Sequence, residues 1–258
     1  MPSIEFQIED QIAFITLNRP EKFNSFNREM ALSLQQRLNE INEDKAIRCV
    51  YITGSGKAFC AGQDLTEVAD PNGPGLGKIL LEHYNPIITK IRHLNMPVVA
   101  AVNGVAAGAG ANIALSCDIV VATESSSFIQ AFSKIGLIPD SGGTFFLPRL
   151  IGFQKASAFM MMGDKVTSTE AERIGMIYKV FADDIFKGES LKIAGTLASM
   201  PTKGLAFTKQ ALNSSLSNNL QQQLQIEDDL QQKAGSTIDF KEGVQAFFGK
   251  RSPVFKGE

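Results

Sequence analysis

The chain has 258 residues, of which 44% are hydrophobic and 20% charged, a composition typical of a globular protein with one large core. Its formal net charge is −2 and its longest basic cluster is Lys250-Arg251, so no basic surface favours nucleic acid or an anionic membrane. We expect neither a secretory signal nor a membrane span, because no apolar run follows a basic N-terminus and every apolar stretch is too short.

The three cysteines are odd in number and contain no CxxC pair, which predicts free thiols in the cytoplasm and no metal site. Cys49 and Cys117 lie in apolar runs and are predicted core residues. Cys60 has no obvious histidine partner, so we do not expect a nucleophile. The two histidines, His83 and His93, fall in one predicted helix and are interpreted as solvated or structural.

The first two thirds of the chain alternate short apolar runs with helical patterns. Two runs, 4–9 and 12–17, predict a hairpin. The other predicted elements, in chain order, are a helix capped by Asn27 and carrying Met30, Leu34, Leu38 and Ile41, a strand over 48–54, a flexible stretch over 70–77, a helix over 76–95, a strand over 97–102, a helix over 109–116 and a strand over 118–122. This rhythm predicts an α/β fold with repeated βαβ units and sheets covered by helices.

After about Thr167 the pattern becomes mostly helical. Residues 167–170 read as a capping box, residues 176–180 predict one more strand, and helical patterns dominate from Asp184 onward. Leu220, Leu224 and Leu230 recur at spacings that predict an amphipathic helix. We therefore expect an α/β core over 1–200 and a helical oligomerisation region over 201–258, although the tail could merely cap its own core.

Asp140 is the only ionisable residue between Lys134 and Arg149, within an apolar, glycine-flanked turn. An acid among apolar neighbours is desolvated, which raises its pKa toward the range useful for proton transfer. The segment also reads as an ordinary Pro-Asp-Ser-Gly turn, or as a helix cap. On these residues alone the structural interpretation is favoured.

Two glycine-rich turns, over 58–65 and 103–112, are suited to close approach of a ligand to the main chain. Two N–H groups from different turns can bind one oxyanion, although tight strand–helix packing would select the same residues. Neither turn is a nucleotide motif. The dinucleotide fingerprint fails at Ile113, and the phosphate-loop pattern lacks its first glycine at Tyr51 and its hydroxyl residue at Ala58.

Four internal segments and both chain ends form a joint pattern: FCAGQDL (59–65), PVVAAVNGVAAGAGA (97–111), CDI (117–119), GLIPDSGGT (136–144), LNRPEKFNS (17–25) and KRSPVF (250–255). Together these segments resemble the enoyl-CoA hydratase/isomerase (crotonase) superfamily over essentially the whole chain. The resemblance implies a spiral of repeated ββα units with a C-terminal helical trimerisation region, assembled as homotrimers or dimers of trimers.

The resemblance also implies an acyl-CoA thioester as ligand, with CoA as part of the substrate and no separate cofactor or metal. Carried over by position, the thioester oxygen is bound by the main-chain N–H groups of Gln63 and Ala109. Further substrate or CoA contacts fall on Lys22, Phe23, Ala61, Gly62, Asp64, Leu65, Gly108, Asn112, Phe132, Phe255 and Lys256. The last two are expected to serve the site of this or a neighbouring subunit.

Two departures from the family pattern bear on the reaction. The paired glutamates of the hydratases fall on Asn112 and Phe132, which cannot share the work of activating water and protonating carbon. Asp140 stands where the resembling isomerases carry their base. The motifs are most similar to the isomerases that convert 1,2-epoxyphenylacetyl-CoA to oxepin-CoA in phenylacetate degradation, which implies Asp140 as acid/base and a hydratase homologue as a pathway partner.

Four alternatives stay open. The first is a general Δ3,Δ2-enoyl-CoA isomerase. An enoyl-CoA hydratase and a dehalogenase with Asp140 as nucleophile are less favoured. A non-catalytic, RNA-binding member of the superfamily is disfavoured by the acidic net charge and by the lack of interleaved basic and aromatic residues.

Overall fold

A computed structural model describes residues 2–258 and contains two β-sheets with helices around them. The strands are Ile4–Glu9 (β1), Ile12–Leu17 (β2), Cys49–Gly54 (β3), Ala58–Cys60 (β4), Val98–Val102 (β5), Val105–Ala107 (β6), Ile119–Thr123 (β7), Ser127–Ile129 (β8), Lys165–Thr167 (β9) and Lys179–Phe181 (β10). The larger sheet has the order β1-β2-β3-β5-β7-β10, and the smaller has the order β4-β6-β8-β9. All neighbours are parallel except β1–β2 and β8–β9.

The helices are Arg28–Glu43 (α1), Leu65–Ala69 (α2), Gly75–Ile79 (α3), Asn85–His93 (α4), Ala109–Ser116 (α5), Gly143–Ile151 (α6), Phe153–Met162 (α7), Ser168–Arg173 (α8), Phe186–Ser199 (α9), Thr202–Ser215 (α10), Leu220–Gly235 (α11) and Ile238–Phe248 (α12). A π-helical segment, Leu80–Tyr84, joins α3 to α4. Among residues 2–258, no helix combines the length and apolarity needed to cross a bilayer.

Three consecutive strand pairs build the core in the same way. The first strand of each pair, β3, β5 or β7, enters the larger sheet, and the second strand, β4, β6 or β8, enters the smaller one. Helical structure follows each pair: α2 to α4, then α5, then α6. This arrangement confirms the expected α/β spiral of ββα units.

Strand β5 explains why its sequence is apolar throughout. Val98, Ala100 and Val102 pack into the main core with α1, α4 and α5, whereas Val99 and Ala101 face a second core under α9. Alternate residues of a strand point to opposite faces, so a strand covered on both faces has no solvent-facing positions.

Several elements match the sequence predictions closely. The hairpin of β1 and β2 has the predicted bounds, and α5 has the predicted bounds 109–116. Helix α1 begins where expected, because the Asn27 side chain accepts a hydrogen bond from the Met30 N–H at 3.0 Å. The four predicted apolar residues of this helix are all buried.

Three local predictions are corrected. The flexible stretch over 70–77 is wrong at its end, where α3 begins at Gly75. Thr167 caps α8, but the Glu170 carboxylate pairs with Arg173 instead of returning to the cap. The last strand lies at 179–181 rather than 176–180, because residues 174–178 form turns after α8.

The predicted boundary at 200/201 lies in the connection between α9 and α10, and the division into domains stays a prediction.

Candidate functional site

A cavity of about 830 Å³ lies where the parallel strands β4, β6 and β8 end. Much of its lining comes from the segments that follow these strands: residues 61–63 and 65, residues 108–109, and most of the loop over 131–144. Ligands of α/β proteins commonly bind at the carboxyl ends of parallel strands, because the loops there are held by the sheet and remain free to vary.

The turn after β4 presents a free amide to this cavity. Phe26 bonds to both neighbours of Gln63, accepting from the Asp64 N–H at 2.8 Å and donating to the Gly62 carbonyl at 2.7 Å. The Gln63 N–H therefore points away from Phe26, and it has no acceptor among residues 2–258. Gly62 has φ +92°, and a Cβ there would lie 2.9 Å from the Ala107 carbonyl oxygen, so the close approach of the two turns requires glycine.

The turn after β6 presents a second amide. Gly108 has φ +52° and donates its N–H to the Ile129 carbonyl at 2.8 Å. Ala109 is the first residue of α5, whose first N–H groups have no partner within the helix. The two turns touch, since a Cβ built on Gly62 would lie 3.4 Å from the Ala109 nitrogen. Two free amides beside a helix N-terminus can stabilise a developing oxyanion.

Among the described residues that line the cavity, Asp140 carries the only carboxylate. Burial raises its pKa, while the hydrogen bond that the Ser141 hydroxyl donates to Asp140 Oδ1 at 2.8 Å acts in the opposite direction. A carboxylate held in an apolar cavity with one hydrogen-bond donor can accept a proton and return it.

Tyr84 is a cavity residue that the sequence analysis missed. Its side chain is 1% exposed, and its hydroxyl donates to Gln63 Oε1 at 2.8 Å. Burial raises the pKa of Tyr84 well above its usual value, and the nearby Cys60, Asp140 and Glu67 add to this, so the hydroxyl keeps its proton. Gln63 Nε2 in turn donates to Glu67 Oε2 at 2.7 Å, which fixes the Gln63 side chain away from its own free amide.

The cavity walls are mostly apolar. They come from α2, from the helical run over 75–84 and from the loop before α6, and their apolar members are Leu65, Val68, Ala69, Leu76, Ile79, Leu80, Ala131, Phe132, Ile135, Leu137, Ile138 and Pro139. The Phe132 ring packs on Gly108, with its Cζ atom 3.7 Å from the position that a Cβ would take. These apolar walls account for the desolvation that raises the pKa of Asp140.

The structure brings eight of the predicted site residues into the cavity lining: Asp140, Gln63, Ala109, Ala61, Gly62, Leu65, Gly108 and Phe132. It places six others outside the lining: Lys22, Phe23, Asp64, Asn112, Phe255 and Lys256. Contact of any of these residues with a ligand stays a prediction.

Two of the six serve other contacts. Asp64 caps α2 by accepting from the Thr66 N–H and forms an ion pair with Arg19 at 2.9 Å. Asn112 is fully buried behind the Asp140 loop, where its Nδ2 donates to the Asp140 carbonyl at 2.8 Å. Neither side chain lines the cavity, because its polar atoms bond to other residues of the chain.

The remaining four lie at the surface or at another edge of the chain. Lys22 and Phe23 are exposed, although the Phe23 carbonyl accepts from the Ala61 N–H at 2.9 Å. The Phe255 carbonyl binds Arg48, and the Lys256 N–H binds Asp239. Within one chain the C-terminal residues therefore do not reach the cavity.

The cysteines and histidines behave as predicted. Cys60 is fully buried and burial raises the pKa of its thiol to about 12, so it is no nucleophile. Cys49 and Cys117 are core residues. His83 is buried beside Arg28, whereas His93 is exposed and bonds the Thr89 carbonyl of its own helix.

Comparison with known proteins agrees with this geometry. A family model described as enoyl-CoA hydratase/isomerase matches residues 7–258. The chain belongs to this family. It is 46% identical to 1,2-epoxyphenylacetyl-CoA isomerase of Escherichia coli, over the full length of both chains, and 43% identical to a probable enoyl-CoA hydratase of Rhodobacter capsulatus, over 99% of this chain and 98% of the relative.

A solved structure of enoyl-CoA hydratase from Bacillus anthracis superposes with a TM-score of 0.92 at 34% identity, covering 99% of this chain and 100% of the other. The protein is therefore an enzyme of the crotonase superfamily, whose members act as isomerases or hydratases of CoA thioesters. Its relatives carry both kinds of name, so these names do not decide between isomerisation and hydration.

Proposed function

We propose that this enzyme is an isomerase of a CoA thioester, with 1,2-epoxyphenylacetyl-CoA as substrate and oxepin-CoA as product. The observation that carries the proposal is the single carboxylate, Asp140, in an apolar cavity that also holds two free amides. Moving a double bond requires one base that takes a proton and returns it. Hydration needs a second group to activate water, and the lining offers no second carboxylate among the described residues.

In the proposed mechanism the Asp140 carboxylate removes a proton from the carbon alpha to the thioester. The carbonyl becomes an enolate, whose oxygen accepts hydrogen bonds from the Gln63 and Ala109 amides. The carboxylic acid then returns the same proton at another carbon of the conjugated system, so no proton is gained or lost. For the aryl epoxide this transfer accompanies ring expansion to the oxepin.

The identity to the Escherichia coli isomerase supports this choice of substrate. The apolar walls equally suit the acyl chain of an aliphatic thioester, so a general Δ3,Δ2-enoyl-CoA isomerase is the second candidate. Assays of one preparation on 1,2-epoxyphenylacetyl-CoA and on a 3-enoyl-CoA, with product identification by mass spectrometry, distinguish the two. Conversion of the 3-enoyl-CoA alone would reject the epoxide as substrate.

Replacing Asp140 by Asn should abolish turnover, because the amide cannot accept the proton, while binding of phenylacetyl-CoA is retained. The measurements are kcat on the preferred substrate and calorimetric binding of phenylacetyl-CoA. Asp44→Asn, at the exposed end of α1, is the matched control and should keep full activity. Unchanged kcat in Asp140→Asn would refute the role of Asp140.

The proposal includes assembly and location. We propose a homotrimer or a dimer of trimers in the cytoplasm, with a hydratase homologue as pathway partner. Support for assembly comes from exposed apolar side chains on α11 and α12, including Leu220, Leu224, Phe247 and Phe248. Support for the location comes from Cys49, Cys60 and Cys117, which form no disulfide within the described part of the chain.

A further inference from the structure

Asn112 is a fully buried polar side chain that the proposed reaction does not use. It lies three residues after Ala109 on α5, so the oxyanion donor and Asn112 share one short, rigid helix. Its Nδ2 donates to the main-chain carbonyl of Asp140 at 2.8 Å. One hydrogen bond therefore connects the helix that carries a proposed oxyanion donor to the residue that carries the proposed base.

The orientation of this amide is set by Gln130. Gln130 is 2% exposed, and its Nε2 donates to Asn112 Oδ1 at 2.8 Å, which leaves the Asn112 NH2 group facing Asp140. Gln130 Oε1 is buried without a partner among residues 2–258. An unsatisfied buried polar group destabilises the fold, so stability alone does not account for this pair of amides.

Gly143 leaves the space that the Asn112 side chain occupies. A Cβ at Gly143 would lie 2.4 Å from Asn112 Nδ2, so the side chain reaches Asp140 only because this residue is glycine. The Gly143 N–H also donates to the Asp140 carbonyl at 2.8 Å, and this carbonyl therefore accepts two hydrogen bonds.

The loop needs such support, because its backbone is strained. Ser141 has φ +51°, a left-handed conformation that is unfavourable for a non-glycine residue, and Gly142 follows with φ +75°. Strained residues persist where surrounding contacts over-determine them. The two donors to the Asp140 carbonyl are such contacts.

We propose that Asn112 is a positioning residue, which fixes the Asp140 carboxylate relative to the Gln63 and Ala109 amides. This inference rests on the proposed function. The main chain of Asp140 and the proposed oxyanion donor Ala109 are both anchored to α5, so one short helix sets the separation between them. Misplacement of a reacting group by about 1 Å can lower the rate about 100-fold.

The test replaces Asn112 with Leu, which has a similar size and no donor. We expect kcat to fall about 100-fold while the Kd for phenylacetyl-CoA stays within twofold, since Asn112 does not line the cavity. Gly143→Ala should give the same split by displacing the Asn112 amide. If Asn112→Leu fails to fold, the result for Gly143→Ala decides.

Two further variants separate positioning from general loss of buried polarity. Ser116→Ala, on the same helix, removes a buried hydroxyl that bonds the Ile113 carbonyl at 2.7 Å and should keep wild-type kcat. Gln130→Leu should lower kcat by a smaller factor, because the Asn112 amide becomes free to turn. The double variant Asn112→Leu/Gln130→Leu should be no slower than Asn112→Leu, since Gln130 acts through Asn112.

Failure of this inference is distinguishable from failure of the proposed function. If Asp140→Asn retains turnover, the proposed function fails. If Asp140→Asn is inactive but folded Asn112→Leu and Gly143→Ala keep kcat within twofold of wild type, the positioning role is overturned. A weakened Kd with unchanged kcat would also overturn it, because it would indicate that Asn112 contacts the ligand.

Discussion

At the scale of single residues, the protonation of Asp140 is the balance of two opposed effects. Burial disfavours the charged form and raises the pKa, whereas the Ser141 hydroxyl donates to the carboxylate and lowers it. The proposed base works only when deprotonated, so we expect activity to be lost as the pH falls through this pKa. The acidic limb of the pH–rate profile therefore reports the balance directly.

Replacing Ser141 by Ala removes the opposing hydrogen bond, so the pKa of Asp140 rises further. We expect the acidic limb of kcat/KM to move to higher pH, with activity recovering on the alkaline side. The measurement is a pH profile of both enzymes, with Ser116→Ala as a serine control away from the carboxylate. A shift to lower pH, or no shift, would contradict the assigned hydrogen bond.

The proposed oxyanion site depends on Gly62, where a single added methyl group should disrupt it. In Gly62→Ala the new Cβ would meet the Ala107 carbonyl at 2.9 Å in a left-handed conformation. The Gln63 amide must then turn, and we expect kcat to fall by about 10²–10³-fold, as for loss of one oxyanion donor. Steady-state kinetics measure the effect.

Gly188→Ala in α9 is the matched control, because no heavy atom lies within 4 Å of its Cβ position. Alanine favours a helix over glycine by about 0.5–1 kcal/mol, so this variant should be as active as wild type and slightly more stable. Equal kcat in the two glycine variants would refute the assignment of the Gln63 amide.

The part of the site that is encoded in the backbone could be predicted from the sequence. Gly62, Gln63, Gly108 and Ala109 line the cavity, as the two glycine-rich turns suggested, because glycine at a turn indicates the path of the main chain, and their contact with a ligand stays a prediction. Tyr84 was not predicted, since its hydroxyl meets a side chain 21 positions earlier in the chain and no local pattern signals such a contact.

Asn112 was a predicted site residue, but its side-chain contacts could not be predicted from the sequence either. Its position on α5 was predicted correctly, but its side chain turns behind the loop rather than into the cavity. The direction depends on how α5 packs against the segment that begins α6, which is a tertiary property. The sequence at Asn112 alone therefore cannot separate ligand contact from positioning.

At the scale of elements, Arg48 links three segments that are distant from one another in the sequence. It is the residue that immediately precedes β3. Its buried guanidinium donates to Gln11 Oε1 at 3.1 Å, to the Met200 carbonyl at 2.5 Å and to the Phe255 carbonyl at 3.0 Å, and it also bonds Thr202. The hairpin, the connection between α9 and α10 and the C-terminal segment are thus linked by one side chain.

Arg48→Met should lower the free energy of unfolding by about 3 kcal/mol or more, because several acceptors lose a charged donor. None of these residues lines the 830 Å³ cavity, so kcat of the folded variant should stay near wild type. Urea unfolding and steady-state kinetics test both parts. Arg37→Met, which removes a partly exposed pair with Glu40 within one helix, should cost less, about 1 kcal/mol.

Elements with strong periodicity were predicted well, and short ones were not. Helix α1 has four buried apolar residues at helical spacing and a side-chain cap, so pattern and packing agree. The last strand is three residues long and held by parallel pairing with β7, which an apolar run cannot locate to the residue. The helical run over 75–93 agrees with the predicted helix over 76–95, and only the overlapping prediction of a flexible stretch over 70–77 is wrong, because Gly75 and Gly77 favoured a loop by local propensity.

At the scale of the whole molecule, the C-terminal helices leave apolar side chains uncovered. Leu230 is the only member of the predicted leucine pattern on α11 that is buried, whereas Leu220 and Leu224 are 74% and 55% exposed. Phe247 and Phe248 of α12 are each 79% exposed. An amphipathic helix whose apolar face meets solvent is typical of a subunit interface, which supports the proposed oligomer.

The double variant Leu220→Lys/Leu224→Lys places two charges on that face of α11. Burying a leucine contributes about 1.5–3 kcal/mol, so the loss of two per subunit should weaken association more than 100-fold and yield monomers at micromolar concentration. Size-exclusion chromatography with light scattering measures the mass, and circular dichroism checks that the helices persist. Asp229→Lys, five residues or about 140° around the helix from Leu224, places a lysine on another face and should leave the assembly intact. If the double variant keeps the wild-type mass while folded, another surface must form the oligomer.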